Sequence, residues 1–210
     1  MAPRVSEDYK NRKRLELLRA AKQVFMEKGY TRTTMQDILD EAGVSRGALY
    51  AYFDNIEHVY RELLRHEDEK ELHFFDPDDT RTAWRQLRNW IQKQQQEIEA
   101  IEHSLLLANS EFFLSTHAQP ENESRRYLTA RYQRITDAIV DFIEKGTARQ
   151  EFQPRLPAES IALYLVSFID GLMLDTFHLG MEKTNVHAQI DALLFSLKEM
   201  LCPADEAKSL

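Results

Sequence analysis

The side chains with the most evident metal-binding chemistry are two acids and two histidines at regular spacing. Glu62, His66, Glu69 and His73 lie at i, i+4, i+7 and i+11, so on an α-helix they share one stripe. Imidazole and carboxylate groups suit zinc and similar ions, but ligands on one straight helix rarely converge on one ion without a further ligand from elsewhere. A solvated charged face is therefore the favoured interpretation, and the sequence assigns no metal.

Other reactive residue types point away from catalysis. A di-iron bundle needs Glu-x-x-His on each of two helices, whereas Asp175 and His178 give the only related spacing and carry the shorter acid. The sequence has no Gly-rich phosphate loop and no G-x-S-x-G motif. The single cysteine, Cys202, cannot form an intrachain disulfide. We therefore expect neither enzyme activity nor a cofactor, and an all-helical enzyme remains the minor alternative.

The stretch from residue 33 to residue 53 predicts two short helices joined by a tight turn. Thr34 and Asp37 have the spacing of a capping box at the start of the first helix. Gly43 follows the last periodic apolar residue, where a glycine ends a helix most readily. Ser45 suits the N-cap of the second helix. This order of elements is typical of a helix-turn-helix.

The second of these helices has one apolar and one polar face. Leu49 and Phe53 are four residues apart and point inward, which leaves Arg46, Gly47 and Tyr50 outward. Glycine costs about 1 kcal/mol relative to alanine inside a helix, so its presence suggests a surface that is approached closely. A helix-turn-helix places its second helix in the major groove of DNA, with the N-terminal residues at the base edges. The segment therefore predicts binding to double-stranded DNA.

The rest of the chain repeats apolar residues at helical spacing, and no segment alternates with a period of two. The expected fold is all-α: a three-helix N-terminal head with the helix-turn-helix, and a larger C-terminal helical bundle, about nine helices in total. The segment Ala158 to Leu179 is apolar nearly all round, so both of its faces must be covered. One cover can be the core of the chain itself and the other a second subunit. Val186 to Leu201 is the last predicted helix.

The sequence also resembles a known family. The run AGVSRGALYAYF, preceded by GYTRTTMQDI, resembles the N-terminal domain of the TetR (tetracycline repressor) family of transcriptional regulators. The resemblance covers about residues 11 to 60 and departs at Ile56, where members often carry a lysine. It implies a helix-turn-helix DNA-binding domain over residues 1–54 and a helical ligand-binding and dimerisation domain over residues 55–210.

The function that the resemblance implies is that of a ligand-responsive transcriptional regulator, most often a repressor. It would bind a roughly palindromic operator as a homodimer and be released by a small molecule in the C-terminal domain. Two sets of residues would contact DNA: Thr33, Thr34, Tyr50 and Tyr52 at phosphates, and Ser45, Arg46 and Gly47 at base edges. Local roles as helix caps, packing residues or a solvated charge are the alternatives for each.

Two further sets of residues are predicted in the C-terminal part. The first set could line an effector pocket, although ordinary core packing is the commoner role of such aromatics: Trp90, His103, Phe112, Phe113, Tyr132 and Phe168. The second set lies on the last two long helices, which the family pairs with their twofold mates: Leu165, Phe168, Leu172, Leu194 and Leu197.

Charge is distributed unevenly along the chain. The formal net charge is −8, yet residues 1–53 hold 10 Lys and Arg against 7 Asp and Glu, which leaves 17 against 28 in the remainder. A basic arm from Arg4 to Arg14 would contact phosphates while the acidic remainder repels DNA. With no signal peptide evident and its longest apolar tract far shorter than a bilayer span, the protein is expected in the cytoplasm without a membrane partner. A helical adaptor that binds no DNA is the remaining alternative.

Overall fold

The structure, a computed structural model, describes residues 7–76, 80–117 and 123–204. These residues contain no β-strand, which confirms the all-α prediction. The α-helices are α1 Glu7–Lys28, α2 Met35–Ala42, α3 Arg46–Tyr50, α4 Ile56–Leu72, α5 Ala83–Glu99, α6 Leu106–His117, α7 Glu123–Ala148, α8 Ala158–Leu179, α9 Met181–Thr184 and α10 Val186–Leu201. Since α9 is a single turn, nine longer helices remain in the described ranges, which agrees with the predicted number. Short 3-10 helices occupy His73–Phe75 and Ile101–His103.

Two helix boundaries differ from the sequence prediction. The predicted basic arm is helical from Glu7 onward, because charged pairs such as Lys10 with Glu7 (2.8 Å) support the helix where apolar residues are missing. Residues 4–6 of the predicted arm lie outside the described residues. The other difference concerns the apolar residues from Trp84 to Leu105, whose spacing predicts two helices with a boundary near residues 94–97. The structure has no boundary there, since α5 runs without interruption from its N-cap at Thr82 to Glu99.

The described residues fall into two compact units. The first unit contains the residues up to Glu69 together with His103–Leu128. The second contains Lys70–Glu102 together with the residues from Thr129 onward. This division by contacts differs from the predicted boundary between residues 54 and 55, which stays a prediction about function.

A cluster of four aromatic rings forms the centre of the first unit. Phe25 of α1 lies 4.6 Å from Tyr60 of α4 between ring centroids, and Phe112 of α6 lies 4.9 Å from Tyr60. Tyr30 packs on Phe112 at 5.0 Å, and its burial raises the pKa of its hydroxyl to about 12. The Tyr60 hydroxyl donates to Asn109 Oδ1 at 2.6 Å. The core of the three N-terminal helices is therefore continuous with α4 and α6.

A carboxylate of α6 binds the turn between α1 and α2 in the same unit. Glu111 Oε2 accepts a hydrogen bond from the backbone N–H of Thr31 at 2.8 Å. Gly29 has a φ of +76°, and a Cβ at this position would lie 2.7 Å from the same oxygen. Glycine is therefore favoured here by the backbone conformation, and any Cβ at this position would also displace the Glu111 carboxylate.

The core of the second unit is apolar. Rings of Phe75, Trp90 and Phe142 pack together, with centroids 5.3 Å apart between Phe75 and Trp90. Near the end of α7, a Cβ on Gly146 would lie 2.5 Å from the ring of Phe152. The glycine therefore allows Phe152 to fold back and fill the core.

Candidate nucleic-acid interface

The start of α2 is fixed by a complete capping box. The Thr34 hydroxyl accepts from the Asp37 backbone N–H at 3.2 Å, and Asp37 Oδ2 accepts from the Thr34 backbone N–H at 2.8 Å. Lys28 at the end of α1 donates to Asp37 Oδ1 at 2.6 Å. The hydrogen bonds from Lys28 and then Thr34 lower the pKa of Asp37 to about 2. One carboxylate therefore connects the end of α1 to the start of α2.

The turn that follows sets the direction of α3. Gly43 adopts a φ of 61°, and its N–H together with that of Val44 bonds the last carbonyls of α2. Ser45 then caps α3, since its hydroxyl accepts from the Ala48 N–H at 3.4 Å. Leu49 and Phe53 are buried in the core of the first unit. Leu49 thus anchors the inner side of α3, and Phe53 anchors the chain three residues after the helix ends at Tyr50.

The outer side of α3 is solvent-exposed. Arg46 and Gly47 are exposed, and Tyr50 is 40% exposed. No atom lies within 4 Å of the position that a Cβ on Gly47 would take. The guanidinium carbon of Arg46 lies 5.2 Å from the ring centroid of Tyr50. With exposed Ser45 and Thr34, these residues form a surface that a large partner can approach.

Two of the predicted phosphate contacts are not on this exposed surface. Thr33 is only 5% exposed, and its hydroxyl donates to the carbonyl of Gly29 at 2.6 Å. Tyr52 is partly buried and packs against the core of the first unit. The sequence suggested their polar groups but not that the fold buries Thr33 and partly covers Tyr52. Ile56, where a lysine is frequent in the resembling family, also packs against this core.

Most of the basic side chains on α1 are paired within the chain. Lys13 contacts Glu16 at 2.9 Å, Lys22 contacts Glu67 at 2.5 Å, and Arg14 is bonded to Glu62. The exposed pair of Lys13 with Glu16 contributes little to stability, so Lys13 can exchange it for a phosphate contact. Arg46 differs, because it forms no ion pair with any residue in the described ranges.

The acidic and histidine stripe of α4 does not form a metal site in the part of the chain that the structure describes. No group of three or more His, Cys, Asp or Glu side chains converges there. The sequence suggested that Glu62 belongs to a solvated charged face, but the structure shows otherwise. It is buried, and its carboxylate binds both Arg14 and Arg65.

The residues predicted to bind an effector are divided between the two units. His103, Phe112 and Phe113 belong to the first. Trp90, Tyr132 and Phe168 belong to the second, where Tyr132 donates to Asp170 Oδ2 at 2.6 Å. Burial, followed by this bond, raises the pKa of Tyr132 to about 12. A small cleft in the second unit is lined by other residues: Ala83, Gln86, Phe142, Lys145, Gly146 and Arg149.

Three of the five predicted dimer residues face the interior of the chain, and the other two are partly exposed. Leu165, Leu172 and Leu197 are buried in the core of the second unit, and Phe168 and Leu194 pack against it. Periodicity identified two apolar sides of α8 but not which side the core covers. The large apolar residues that the structure leaves exposed on these helices, and that the sequence did not single out as interface candidates, are Leu163, Leu174, Phe177 and Leu179 of α8 and Phe195 of α10.

The all-α fold and the exposed face of α3 define a helix-turn-helix protein of the DNA-binding class. Comparison with known sequences identifies the family. Residues 17–63 match "Bacterial regulatory proteins, tetR family", and residues 86–187 match "Tetracyclin repressor-like, C-terminal domain". The chain therefore belongs to the TetR family and is a helix-turn-helix transcriptional regulator.

Three proteins similar to this chain are transcriptional regulators by name. The uncharacterized HTH-type transcriptional regulator YfiR of Bacillus subtilis is 28% identical over 98% of this chain and 100% of its own length. The HTH-type transcriptional repressor KstR2 of Mycobacterium tuberculosis is 27% identical over 74% of this chain and 76% of its own length. The structure of the regulator FadR of Bacillus subtilis, in complex with stearoyl-CoA, has a TM-score of 0.66 at 20% identity and covers 86% of this chain and 95% of FadR.

Proposed function

We propose that the protein is a cytoplasmic, ligand-responsive repressor that binds a roughly palindromic operator as a homodimer. The observation that carries this proposal is the outer face of α3, which is capped at Ser45, anchored at Leu49 and left exposed at Arg46 and Gly47. In a helix-turn-helix, such a face enters the major groove. The family membership and the similarity to KstR2, a repressor by name, support repression as the mode of action.

The contacts to DNA divide into those that read bases and those that hold phosphates. Arg46 can donate two hydrogen bonds to a guanine edge, and Gly47 allows the helix to approach the base pairs. The Tyr50 hydroxyl and the exposed Thr34 would hold phosphates, with Ser45 at the helix start. The domain assignment proposed for residues 1–54 follows from this set, and residues 55–210 would bind the effector and the second subunit.

The exposed apolar face of α8 and α10 supports a homodimer. Among the described residues, α8 is the one helix long and apolar enough to cross a membrane, yet only 33% of its most apolar 18-residue window is buried. Asp170 lies on the exposed side of this helix, and a carboxylate at the centre of a bilayer costs about 2.5 to 3.5 kcal/mol. A second copy of the chain covers such a mixed face better than lipid does.

The twofold axis of a dimer would impose its symmetry on the DNA. Two copies of α3 would enter successive major grooves, with half-site centres about 34 to 36 Å apart or a multiple of that distance. Each half-site would then present the same bases to Arg46.

Residues 55–210 are proposed to hold the effector. FadR shows that a regulator with this fold can bind a ligand with a long acyl chain, but stearoyl-CoA is the ligand of FadR. Residues 54–210 carry 17 Lys and Arg against 28 Asp and Glu, a balance that favours a neutral or cationic effector over an anionic one.

The proposal is tested by selecting the DNA fragments that the full-length protein retains from its own genome. The enriched fragment should contain an inverted repeat. Affinity for it should fall about 1,000-fold or more between 50 and 200 mM salt, as expected for six to ten phosphate contacts. Affinity that stays flat across this range, or retention of no fragment at low salt, would favour the helical adaptor instead.

A further inference from the structure

Arg46 is held against an aromatic ring rather than against an acid. Its guanidinium carbon lies 5.2 Å from the ring centroid of Tyr50, one helical turn along α3. No described residue forms an ion pair with Arg46, whereas Lys13, Arg14 and Lys22 on α1 each contact a carboxylate. The arginine on the predicted recognition face is thus constrained in a way that differs from those cations.

From this contact we infer that Tyr50 is a positioning residue for base recognition. Its ring holds the Arg46 guanidinium in an orientation that presents the N–H edge to a base pair. The inference rests on the proposed function, since it concerns how the same helix face reads DNA. It assigns the ring of Tyr50 a role separate from that of its hydroxyl.

The chemistry of a guanidinium explains why an aromatic partner suits this role. A guanidinium that stacks on an aromatic ring uses its flat face, so in this arrangement the N–H donors around its edge stay available. A carboxylate partner would bind those same donors in a fork, and they would have to be released before a guanine could be bound. Stacking therefore orders the side chain without occupying the groups that recognise the base.

The surroundings of the pair allow this arrangement. Tyr50 is 40% exposed, so more than half of its surface is covered while part of the ring remains accessible. Gly47 lies on the same outward side, and the space where its Cβ would stand is open. Because an arginine loses rotamer freedom when it binds, a prior contact that restricts it reduces the loss on binding.

The experiment separates the ring of Tyr50 from its hydroxyl in the full-length protein. Affinities are measured for the selected operator and for versions with each base pair of the half-site replaced. Arg46→Ala should remove the preference at one base pair per half-site. Tyr50→Phe keeps the ring, so it should weaken all versions about equally and retain that preference. Tyr50→Leu removes the ring and should lower the preference at the same base pair by a further two- to fivefold, about the range for an exposed cation–π contact.

Two controls exclude a loss of folding or a general effect of removing an aromatic residue. Tyr9→Leu removes a tyrosine that is 51% exposed on α1 and should leave discrimination unchanged. In the Arg46→Ala background, Tyr50→Leu should cause no further loss of discrimination relative to Tyr50→Phe. Thermal unfolding should be similar for all variants, because the side chains of Arg46, Tyr50 and Tyr9 are all exposed.

Three results would overturn the inference. If Tyr50→Leu and Tyr50→Phe discriminate equally at the Arg46 base pair, the ring does not position Arg46, although DNA binding stands. If Arg46→Ala changes no single base preference, Arg46 is not a reader. If the wild-type protein retains no DNA at low salt, the proposed function itself fails, which is a distinct outcome.

Discussion

The helices α3 and α8 are anchored in similar ways but expose opposite chemistry. Leu49 fixes α3 in the first unit, and Leu165 and Leu172 fix α8 in the second. Outward, α3 presents Arg46, Gly47 and Tyr50, while α8 presents mainly leucines and a phenylalanine, with Asp170 among them. A cation and open space suit a hydrated polyanion, whereas an apolar strip suits another protein surface. The buried residues therefore determine where each helix lies, and its exposed residues determine what the helix can bind.

The largest expected effect comes from placing charged residues on the exposed apolar face of α8 and α10. In a protein carrying both Leu174→Glu and Phe195→Glu, the two subunits of the proposed dimer would together bury four carboxylates in their interface. An unpaired buried charge costs about 3 to 5 kcal/mol, so the dissociation constant of the dimer should rise more than about 100-fold. Light scattering at micromolar concentration should then report monomers.

A matched control for this variant exists in the first unit. Leu114 is 73% exposed and Phe195 is 70% exposed, but Leu114 lies on α6. Leu114→Glu should leave the mass of the dimer unchanged. A dimer that persists in the doubly substituted protein would remove the α8–α10 face from the proposal.

The second effect concerns the polar side of the comparison. Gly47→Leu introduces bulk where no atom lies within 4 Å, so the fold should accept it and gain up to about 1 kcal/mol in helix propensity. Operator binding should be lost, because the side chain would keep the helix away from the base edges, where each bidentate contact is worth about 1 to 3 kcal/mol.

Gly47→Ala is the graded companion of this variant, since it gains helix propensity with a single methyl group. Its unfolding temperature should rise while its operator affinity lies between those of wild type and Gly47→Leu. Normal operator binding by a stable Gly47→Leu protein would show that this side of α3 does not face the groove.

A third, smaller effect tests how the unit that carries α3 is held together. Glu111→Ala removes the acceptor for the Thr31 N–H, and denaturant unfolding should show a loss of about 1 kcal/mol for this solvent-accessible bond. Hydrogen exchange at the Thr31 amide should become faster. Glu111→Gln retains an acceptor oxygen and should lose less. Equal loss in both variants would mean that the negative charge of Glu111, and not this hydrogen bond, stabilises the fold.

The smallest effect is a dependence of stability on pH. The folded pKa of Asp37, about 2, lies below its ordinary value of 3.8. The ionised group therefore stabilises the fold above about pH 4, and this contribution is lost as the pH falls towards 2. The difference in unfolding free energy between wild type and Asp37→Asn should shrink over that interval. Lys28→Met, which removes the main hydrogen bond, should narrow the interval. A difference that is constant with pH would contradict this role of Asp37.

Local signals in the sequence were sufficient for much of the fold. The capping box at Thr34, the glycine at residue 43 and the bounds of α8 and α10 were predicted as the structure has them. The start of α1 was missed because its first turns are polar and rest on charged pairs, which an apolar period does not detect. Local sequence patterns thus predicted the apolar parts of the helices better than the polar turns at their ends.

The candidate sites were harder to predict because they depend on contacts distant in sequence. The bond from Thr31 to Glu111 joins residues 80 positions apart, and no local pattern signals it. Periodicity gave both apolar sides of α8, but only packing showed that Leu165 belongs to the core and Leu174 to the surface. Thr33 has a hydroxyl that could donate to a phosphate, but in the fold this hydroxyl donates to the carbonyl of Gly29 instead.

The open space around Gly47 also has a consequence for evolution. Because Arg46 and Gly47 are exposed and add little to the core, substitutions there can alter the preferred operator at little cost in folding stability. After a gene duplication, the two copies could diverge in their DNA targets through a few changes in α3, while the proposed effector and dimer surfaces stay as they are. Regulators of this type can thus acquire new target genes without first evolving a new fold.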